Sequence, residues 1–256
     1  MTIASSLVLL INEKQLKMRS FEGKVALITG GSKGIGYGVA EALLNLDMRV
    51  AITSRTEDSA VKAAKQLTQL GRGKVLGLVA DVRNYESQKE AVNVILEKWG
   101  QLDILVANAG IGHFGSIEDL SIEHWQETID TNLSGVFYSI KAALPALRKT
   151  QGYVITISSL AGTNFFEGGA AYNASKFGVT GMTQAIMLDV RNHGVKVSTI
   201  MPGSVATHFN DHEPSDKDSW KIQKEDIGDL VVNLIKMNPR TLPSKIEVRP
   251  SQPPQK

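Results

Sequence analysis

The chain alternates between short apolar runs and longer stretches with helical periodicity, and this alternation restricts the fold more than any other feature. The first run, 24–29, is almost continuously apolar and ends in a glycine cluster, as expected of a strand buried on both faces of a sheet. In the stretch 34–46 the apolar residues have helical spacing. The same alternation predicts further strands at 49–53, 74–80, 102–106, 153–157, 196–200 and 245–248, and further helices at 58–70, 85–99, 121–133, 136–148, 170–193 and 224–237.

Seven strands alternating with helices predict one parallel sheet with helices on both faces, because parallel strands need crossover connections. A chain of 256 residues suits a single domain of this kind, which we place at 21–249. Ligands of such sheets bind beyond the carboxyl ends of the strands. Functional residues are therefore expected in the loops that follow the strands.

Both ends of the chain are expected to lie outside this domain. Residues 1–20 contain an apolar run, 7–11, that is shorter than the ~20 residues of a membrane-spanning helix and has no basic region ahead of it. Met18 begins a segment typical of a natural start, so we expect 1–17 to be a dispensable extension or the result of a misplaced initiation codon. The proline-rich tail, 250–256, is expected to be flexible.

Composition excludes several kinds of site. The chain has no cysteine and five histidines, which excludes disulfides, thiol nucleophiles and cysteine-based zinc sites. Its 28 basic and 26 acidic side chains nearly balance, so no nucleic-acid partner is expected. With no signal or lipid motif recognised, we expect a cytoplasmic protein with no membrane partner and no metal.

A glycine-rich loop, Thr29-Gly30-Gly31-Ser32-Lys33-Gly34-Ile35-Gly36, joins the first strand to the first helix. Glycines there allow a tight turn and the close approach of a pyrophosphate, whose charge is met by backbone N–H groups at the helix N-terminus. Such loops also occur as plain connectors. Between a strand and a helix, however, the loop favours dinucleotide binding by Gly30, Ser32, Lys33, Gly34, Ile35 and Gly36.

The end of the second strand decides between the two nicotinamide cofactors. An acidic residue roughly 20 positions beyond the glycines would hold a free ribose 2′-OH, but the chain has Thr53-Ser54-Arg55 there. Arg55 and Lys33 could bind a 2′-phosphate, with Ser54 as a neutral donor. Both cations could instead be ordinary solvated charges. The missing acid favours NADP(H).

Tyr172 and Lys176 lie four residues apart near the start of a long predicted helix, so their side chains project from one face. A phenol with a pKa of about 10 is a poor acid–base catalyst at neutral pH, and a neighbouring ammonium group lowers that pKa. Tyr172 is therefore a candidate general acid. Ser159, which follows the fifth predicted strand, could hold a substrate carbonyl oxygen.

From about Phe21 to Val248 the sequence resembles the short-chain dehydrogenase/reductase family. The glycine loop matches the family motif, and the Asn-Ala-Gly motif is present as Asn108-Ala109-Gly110. The active-site helix motif is present as Tyr172-Asn173-Ala174-Ser175-Lys176, with a serine thirteen residues before the tyrosine, and Asn132 occupies the catalytic asparagine position. The resemblance implies a single-domain Rossmann fold of the α/β class, with a doubly wound seven-stranded parallel sheet. It also implies NADP(H)-dependent, reversible reduction of a ketone or aldehyde.

The resemblance assigns a role to each matched residue. Tyr172 would protonate the carbonyl oxygen, while Lys176 would lower the pKa of Tyr172 and bind the nicotinamide ribose. Asn132 would hold a water that relays protons, and Ser159 would orient the carbonyl. The other implied cofactor contacts are Asp81 and Val82 at the adenine, Asn108, Ala109 and Gly110 beside the cofactor, and Pro202, Gly203 and Thr207 at the nicotinamide carboxamide.

Relatives usually assemble as homodimers or homotetramers, through the two long helices that precede and contain the catalytic pair, together with the last helix and strand. The resemblance therefore implies such an assembly. Structural explanations remain open for single residues: Asn132 could make a capping hydrogen bond, Ser159 could be a turn residue, and Asp81 could be a helix N-cap.

The segment 208–224 departs from the family pattern. It is short and polar where many members have a long apolar cover, so we expect an open pocket or one completed by another subunit. We expect this segment to determine specificity and also to be disordered. Its His208 and His212 lie beside acidic residues. We interpret these residues as solvated loop charges in preference to a metal site. The side chains that could line a substrate pocket are His113, Phe114, Phe165, Phe166 and Trp220.

Three functions are therefore considered. The leading hypothesis is an NADPH-dependent carbonyl reductase. Reduction of 3-oxoacyl groups on an acyl carrier is the second, although residues 245–250 replace the glycine-rich ending of those reductases. It predicts a basic patch at the active-site mouth to recruit the acidic carrier. The third, an NADP(H)-sensing protein without turnover, is disfavoured by the intact set of Asn132, Ser159, Tyr172 and Lys176.

Overall fold

All seven predicted strands form in the computed structural model, which describes residues 20–70 and 73–252. The strands are β1 (Val25–Ile28), β2 (Arg49–Ser54), β3 (Lys74–Val79), β4 (Ile104–Ala107), β5 (Tyr153–Ile157), β6 (Lys196–Pro202) and β7 (Lys245–Val248). They form one sheet in the order β3-β2-β1-β4-β5-β6-β7, and each neighbouring pair is parallel. The strand order reverses between β1 and β4, and this reversal opens a crevice at their carboxyl ends.

The helices cover both faces of the sheet, as predicted. They are α1 (Gly34–Leu44), α2 (Glu57–Leu70), α3 (Tyr85–Trp99), α4 (Ile122–Ile129), α5 (Gly135–Thr150), α6 (Ala170–Val190) and α7 (Lys224–Lys236). One apolar core lies under α1, α2 and α7, and a second lies under α3, α5 and α6. The prediction of a single-domain, doubly wound α/β fold is confirmed.

Local sequence explains where several elements begin and end. All four residues of β1 are buried, which explains why that strand is continuously apolar rather than alternating. Helix α3 begins after Asn84, whose side chain accepts a hydrogen bond from the Ser87 N–H at 3.0 Å. It ends at Gly100, whose positive φ of 77° is easily adopted by glycine.

The predicted helix 121–133 is interrupted. Helix α4 ends at Ile129 and is followed by a π turn, Asp130–Ser134, before α5 begins. A π turn locally widens the helical backbone, and such turns are frequent at functional sites. The interruption contains Asn132, which is completely buried.

The expectation that 208–224 is disordered is wrong. The segment forms two short 3-10 turns, and Val205 pairs with Ile222 in an isolated parallel bridge. The buried Asp218 carboxylate accepts hydrogen bonds from His212 at 2.7 Å and from the Ser215 N–H at 3.0 Å, and it forms an ion pair with Lys221. These bonds hold the pKa of Asp218 well below its usual range, with the Lys221 ammonium as the main cause.

Most of the predicted N-terminal extension and tail, residues 1–19 and 253–256, lies outside the described residues. Among the residues that the structure describes, no helix is both long and apolar enough to cross a bilayer.

Candidate active site

The glycine loop after β1 has little room for any other residue. Gly30 and Gly34 have φ angles of +64° and +58°, a region that side chains with a Cβ rarely adopt. A Cβ on Gly36 would lie 2.5 Å from the Asn108 Nδ2 and 2.7 Å from the Gly30 carbonyl oxygen. The loop is therefore shaped by close backbone contacts, and its surface can approach a ligand closely.

Asn108 and Thr29 join the glycine loop to β4. The Asn108 Nδ2 donates to the carbonyl oxygens of Thr29 at 2.9 Å and Gly30 at 3.1 Å. The Thr29 hydroxyl accepts from the N–H groups of Asn108 at 3.0 Å and Ala109 at 3.1 Å. Sequence reasoning missed Thr29, although a buried hydroxyl at the end of a strand before a glycine turn is a recognisable signal.

This loop fits the pyrophosphate of a dinucleotide. Lys33 is the N-cap of α1, and its exposed side chain makes no capping bond, so the first N–H groups of the helix lack a side-chain cap. Thr207, from the loop after β6, lies across the glycine loop, since a Cβ on Gly34 would be 3.4 Å from the Thr207 Cβ. The predicted cofactor residues on β1, β4 and β6 are thus brought together at one edge of the sheet.

The residues expected at the adenosine end lie beside the glycine loop. The Ser54 and Ser32 hydroxyls are 3.5 Å apart. The Arg55 side chain is 62% exposed, and its Nη1 lies 4.0 Å from the Glu127 Oε1. The Arg83 Nη1 lies 3.5 Å from the same oxygen, so one carboxylate faces two arginines.

Asp81, the expected adenine contact, is already engaged. Its carboxylate accepts from the Arg83 backbone N–H at 2.9 Å and from the guanidinium at 2.7 to 3.1 Å. The Arg83 hydrogen bonds hold the pKa of Asp81 below its usual value. The neighbouring Val82 is buried and packs against Gly135, where a Cβ would approach Val82 Cγ2 to 2.8 Å.

Sequence reasoning missed both Arg83 and Glu127. Arg83 follows β3 and Glu127 lies on α4, so only the sheet topology brings them to the end of β2. Neither residue stands in a motif, and an exposed charge on a helix is ordinarily solvated. The sequence contained no local signal for this cluster.

Lys176 is buried directly behind Tyr172. Its Nζ donates to the Ile157 carbonyl oxygen at 3.0 Å and lies 5.6 Å from the centroid of the Tyr172 ring. Only 5% of the residue is exposed, and this burial lowers its pKa to about 8. The predicted pair on one helix face is therefore present, with the ammonium group held by the end of β5.

The pKa of Tyr172 is raised, which differs from the sequence prediction. Burial is the main cause, because it disfavours the phenolate, and a hydrogen bond with the Ser159 hydroxyl acts in the opposite direction. The Ser159 hydroxyl also accepts from the Ala161 N–H at 3.1 Å and donates to the Pro202 carbonyl oxygen at 3.4 Å. Ser159 therefore joins Tyr172 to the loops after β5 and β6.

Asn132 fastens the loop after β4 to helix α6. Its Oδ1 accepts from the Ile111 N–H at 2.8 Å, and its Nδ2 donates to the Ile111 carbonyl oxygen at 2.9 Å and to the Ser175 hydroxyl at 3.1 Å. A Cβ on Gly110 would lie 3.3 Å from the Asn132 Oδ1 and 3.6 Å from the Lys176 Nζ. The π turn thus places Asn132 beside Lys176, and Asn132 braces the loop there.

The loop after β6 is tied to β7, because the Gly203 N–H donates to the Val248 carbonyl oxygen at 2.8 Å. Of the five predicted pocket residues, Phe114 and Phe166 form a ring cluster that includes Tyr172. His113 instead turns toward Glu127, with its Nε2 3.0 Å from the carboxylate. Phe165 is 84% exposed, and Trp220 lies beside Lys221.

This arrangement can move a proton. A phenol sits at the carboxyl edge of the sheet with one hydroxyl partner and a buried ammonium group one helical turn away. A cradle suited to a dinucleotide lies beside it. Acid–base chemistry on a small molecule is what such a set of groups can perform.

The chain is similar to known oxidoreductases in sequence and in fold. The family model of short chain dehydrogenases matches residues 24–218. The chain is 40% identical to trans-4-hydroxycyclohexanecarboxylate dehydrogenase of Sinomonas cyclohexanicum over 189 residues, which are 72% of this chain and 73% of the relative. It is 37% identical to the 3-oxoacyl-acyl-carrier-protein reductase FabG of Vibrio cholerae, over 73% of this chain and 76% of the relative.

Solved structures agree with this relationship. An alcohol dehydrogenase of the archaeon Thermococcus sibiricus, determined with 5-hydroxy-NADP, superposes with a TM-score of 0.84 at 31% identity. The match covers 91% of this chain and 99% of that one. Fold, motif order and sequence similarity lead to one conclusion: the chain belongs to the short-chain dehydrogenase family of oxidoreductases.

Proposed function

We propose that the protein is an NADPH-dependent reductase of ketone or aldehyde carbonyls, working reversibly as an alcohol dehydrogenase. The observation that carries the proposal is the position of the Tyr172 phenol. The buried Lys176 Nζ lies 5.6 Å from the centroid of its ring, and the neighbouring Ser159 hydroxyl acts to lower the pKa of the phenol. This is the constellation that carbonyl reduction requires, since the carbonyl oxygen must receive a proton when the carbon is reduced.

The protein residues would manage the proton and the developing charge. When bound, a nicotinamide cofactor supplies the hydride that the carbonyl carbon accepts. Tyr172 donates its hydroxyl proton to the carbonyl oxygen. The Ser159 hydroxyl turns from the Pro202 carbonyl oxygen and donates a hydrogen bond to the substrate oxygen as negative charge develops on it. In the oxidative direction the same phenol oxygen takes the proton back.

Lys176 would stabilise the phenolate form of Tyr172. Its ammonium group lies 5.6 Å from the Tyr172 ring centroid and favours the phenolate left after proton donation. Asn132 would hold the loop after β4 and a relaying water beside Lys176. The Ile157 carbonyl oxygen orients the ammonium group, so that the positive charge stays in one place.

The preference for NADP(H) rests on the end of β2. Arg55 is largely exposed and follows Ser54, where a cofactor without a 2′-phosphate would call for a carboxylate. Lys33 in the glycine loop supplies a second cation. The nearby Glu127 works against this preference, because it already faces Arg55 and Arg83.

Reduction of a 3-oxoacyl group on an acyl carrier is the second candidate, supported by the 37% identity to such a reductase. The loops around the site disfavour it. The mouth loops, which we define as residues 108–121, 158–169 and 203–223, contain seven carboxylate side chains and two lysines. An acidic carrier would meet like charge there, not the basic patch that the carrier hypothesis predicts.

Substitution of Tyr172 by Phe tests the proposal. Tyr172→Phe removes only the hydroxyl, so we expect the fold and NADPH binding to be kept and kcat to fall by about 10² or more. The measurement is NADPH oxidation with a panel of free ketones and one carrier-linked 3-oxoacyl substrate. Tyr85→Phe, which removes a hydroxyl at the start of α3, is the matched control and should leave kcat unchanged.

Each result of that experiment separates two hypotheses. Turnover of free ketones that depends on Tyr172 supports the carbonyl reductase. Turnover only with the carrier-linked substrate supports the second candidate. Tight NADPH binding without turnover of any substrate supports a sensing protein and rejects catalysis.

We infer that the protein assembles as a homodimer or homotetramer through α5, α6 and the α7–β7 edge. Support comes from large apolar side chains left exposed on the first two helices, Phe137 at 42%, Phe177 at 43% and Leu188 at 52%. Light scattering on the purified protein would measure the mass of the assembly, and a monomer at micromolar concentration would contradict the inference.

A further inference from the structure

Three phenylalanines from three separate loops meet at Tyr172. Phe114 follows β4, Phe166 follows β5 and Phe209 follows β6. The Phe114 and Phe209 ring centroids lie 5.4 Å and 5.8 Å from that of Tyr172, and the Phe166 centroid lies 5.8 Å from that of Phe114. These are distances at which aromatic rings attract each other. We call this group, Phe114, Phe166 and Phe209, the aromatic wall.

The aromatic wall differs from the core in its exposure. Phe114 is 45% exposed, Phe166 is 48% exposed and Phe209 is 36% exposed, whereas the large side chains of the core are completely buried. Three partly exposed rings gathered beside the Tyr172 ring form an apolar patch of the kind that binds ligands. Since the wall contacts the Tyr172 ring itself, a molecule that covers it would place its reacting group near the hydroxyl.

Gly112 makes the wall possible. Its backbone does not have a positive φ, so conformational freedom is not the reason for a glycine there. Space is the reason, because a Cβ would lie 2.8 Å from Cε1 and Cζ of Phe209 and 2.9 Å from the Phe114 Cζ. By contrast, a Cβ on Gly115 in the same loop would have its nearest neighbour at 3.8 Å.

Charge around the wall narrows the class of ligand. The mouth loops contain seven carboxylates and two lysines in sequence, and the ion pair of Lys221 with the buried Asp218 leaves six carboxylates against one lysine. An anionic substrate would meet repulsion at this entrance. A neutral substrate would not, and a ring on that substrate could pack edge-to-face against Phe114 or Phe209.

We propose that the substrate is a neutral ketone with a six-membered ring attached to the carbonyl carbon, held by the aromatic wall while its carbonyl oxygen faces Tyr172 and Ser159. This inference rests on the reductase function proposed above. In the reaction the carbonyl C=O double bond becomes a C–O single bond: the carbon gains hydride from NADPH, the oxygen gains the Tyr172 proton, and NADP⁺ is the oxidised product. Phe209 and Gly112 are then specificity-determining residues.

The test compares three ketones with wild-type enzyme. Acetophenone has the ring, 2-octanone has the same number of carbon atoms without a ring, and 4-acetylbenzoate adds a carboxylate to the ring. We expect kcat/KM for acetophenone to exceed that for 2-octanone by about tenfold and that for 4-acetylbenzoate by about fivefold. If kcat/KM for 2-octanone equals or exceeds that for acetophenone, the inference that the substrate has a ring is wrong. If kcat/KM for 4-acetylbenzoate exceeds that for acetophenone, the inference that the substrate is neutral is wrong.

Variants connect the preference to the wall. Phe209→Ala, Phe209→Leu and Gly112→Ala should each lower kcat/KM for acetophenone by about five- to tenfold and change that for 2-octanone less than about twofold. Gly115→Ala and Ile117→Ala, in the same loop as Phe114, are the controls and should change neither value. Phe209→Leu keeps an apolar side chain of similar bulk, so it tests the ring even where Phe209→Ala fails to fold.

The outcomes also separate this inference from the proposed function. If acetophenone and 2-octanone are both reduced through Tyr172 but the wall variants affect them equally, the reductase stands and the aromatic wall is not the substrate site. If no ketone oxidises NADPH, both proposals are wrong.

Discussion

The two sides of the crevice are built differently. On the cofactor side, the Asn108 side-chain amide is hydrogen-bonded to backbone carbonyl oxygens of the glycine loop, and the contacts leave no room for a methyl group. On the substrate side, the aromatic wall is held by ring contacts between separate loops, and its residues remain partly exposed. Movement of the first side would break these close contacts, whereas the second side can change its side chains without disturbing the sheet.

This difference separates two roles. The cofactor side carries features common to the family, and the substrate side carries the specificity of this member. Tyr172 and Lys176 stand between the two sides, on the first turns of α6. A change on the cofactor side should therefore affect every substrate equally. A change on the substrate side should affect some substrates and spare others, as the predictions for the aromatic wall require.

The largest effect is expected from Gly36→Ala on the cofactor side. The added Cβ would lie 2.5 Å from the Asn108 Nδ2, so the loop must shift. Overpacking of this kind costs about 1–3 kcal/mol of the free energy of unfolding. A shift of the order of 1 Å in a positioning loop lowers kcat/KM by about a hundredfold. Urea unfolding and NADPH kinetics with two unlike ketones measure both effects.

Gly115→Ala in the loop after β4 is the matched control for this substitution. A Cβ there would have its nearest neighbour at 3.8 Å, which is ordinary contact, so this variant should be as stable as the wild type. If Gly36→Ala binds NADPH normally, the cofactor side is not as rigid as the contacts indicate, and the comparison fails.

The next effect in size is expected from Arg55→Asp, which places a carboxylate where a 2′-phosphate would lie. A charge-assisted hydrogen bond contributes about 1.5–3 kcal/mol, so KM for NADPH should rise about ten- to a hundredfold while KM for NADH changes little. Initial rates with both cofactors measure the ratio. Equal changes for NADPH and NADH would refute the assignment of Arg55.

Much of the cofactor side could be predicted from the sequence. The glycine loop, Asn108, Tyr172 and Lys176 stand in contiguous motifs. The contacts of Asn108 with the glycine loop join neighbouring strands, and Tyr172 and Lys176 lie one helical turn apart. The alternating pattern also predicted every strand of the sheet. Local sequence suffices where the geometry is local.

The rest depends on contacts between distant segments. The ion pairs of Glu127 join α4 to Arg55 and Arg83, which follow β2 and β3. The aromatic wall joins three loops. Burial of Tyr172 raises its pKa, which the spacing to Lys176 could not reveal. The conformation of 208–224 depends on the buried Asp218 and its partners. Because these residues are all charged or polar, the segment had the sequence pattern of a solvated loop.

A third prediction concerns Lys176, which lies between the two sides. Burial lowers its pKa to about 8 in the folded protein, whereas an unfolded lysine titrates near about 10.4. Between these values the unfolded chain binds more protons than the native state, so the free energy of unfolding should rise with pH. The slope contributed by this group approaches about 1.4 kcal/mol per pH unit.

Lys176→Met removes this titration. The free energy of unfolding of the wild type, relative to that of the variant, should therefore increase as the pH rises above about 8. Urea unfolding at several pH values between about 7 and about 10 measures it. A difference that stays constant over this range would mean that Lys176 keeps its proton in the native state, with a pKa near that of an exposed lysine.

The smallest effect is expected from Glu127→Gln. Glu127 belongs to neither side of the crevice, but its carboxylate offsets part of the positive charge on the cofactor side. Its carboxylate faces Arg55 at 4.0 Å and Arg83 at 3.5 Å. Loss of that charge leaves Arg55 free for a 2′-phosphate while Arg83 stays paired with Asp81, and since exposed ion pairs contribute about 1 kcal/mol or less, KM for NADPH should fall about two- to fivefold. Glu123→Gln on the same helix is the control. A rise in KM for NADPH would show instead that Glu127 holds the arginines in position, and that the preference for the phosphorylated cofactor depends on their orientation more than on their net charge.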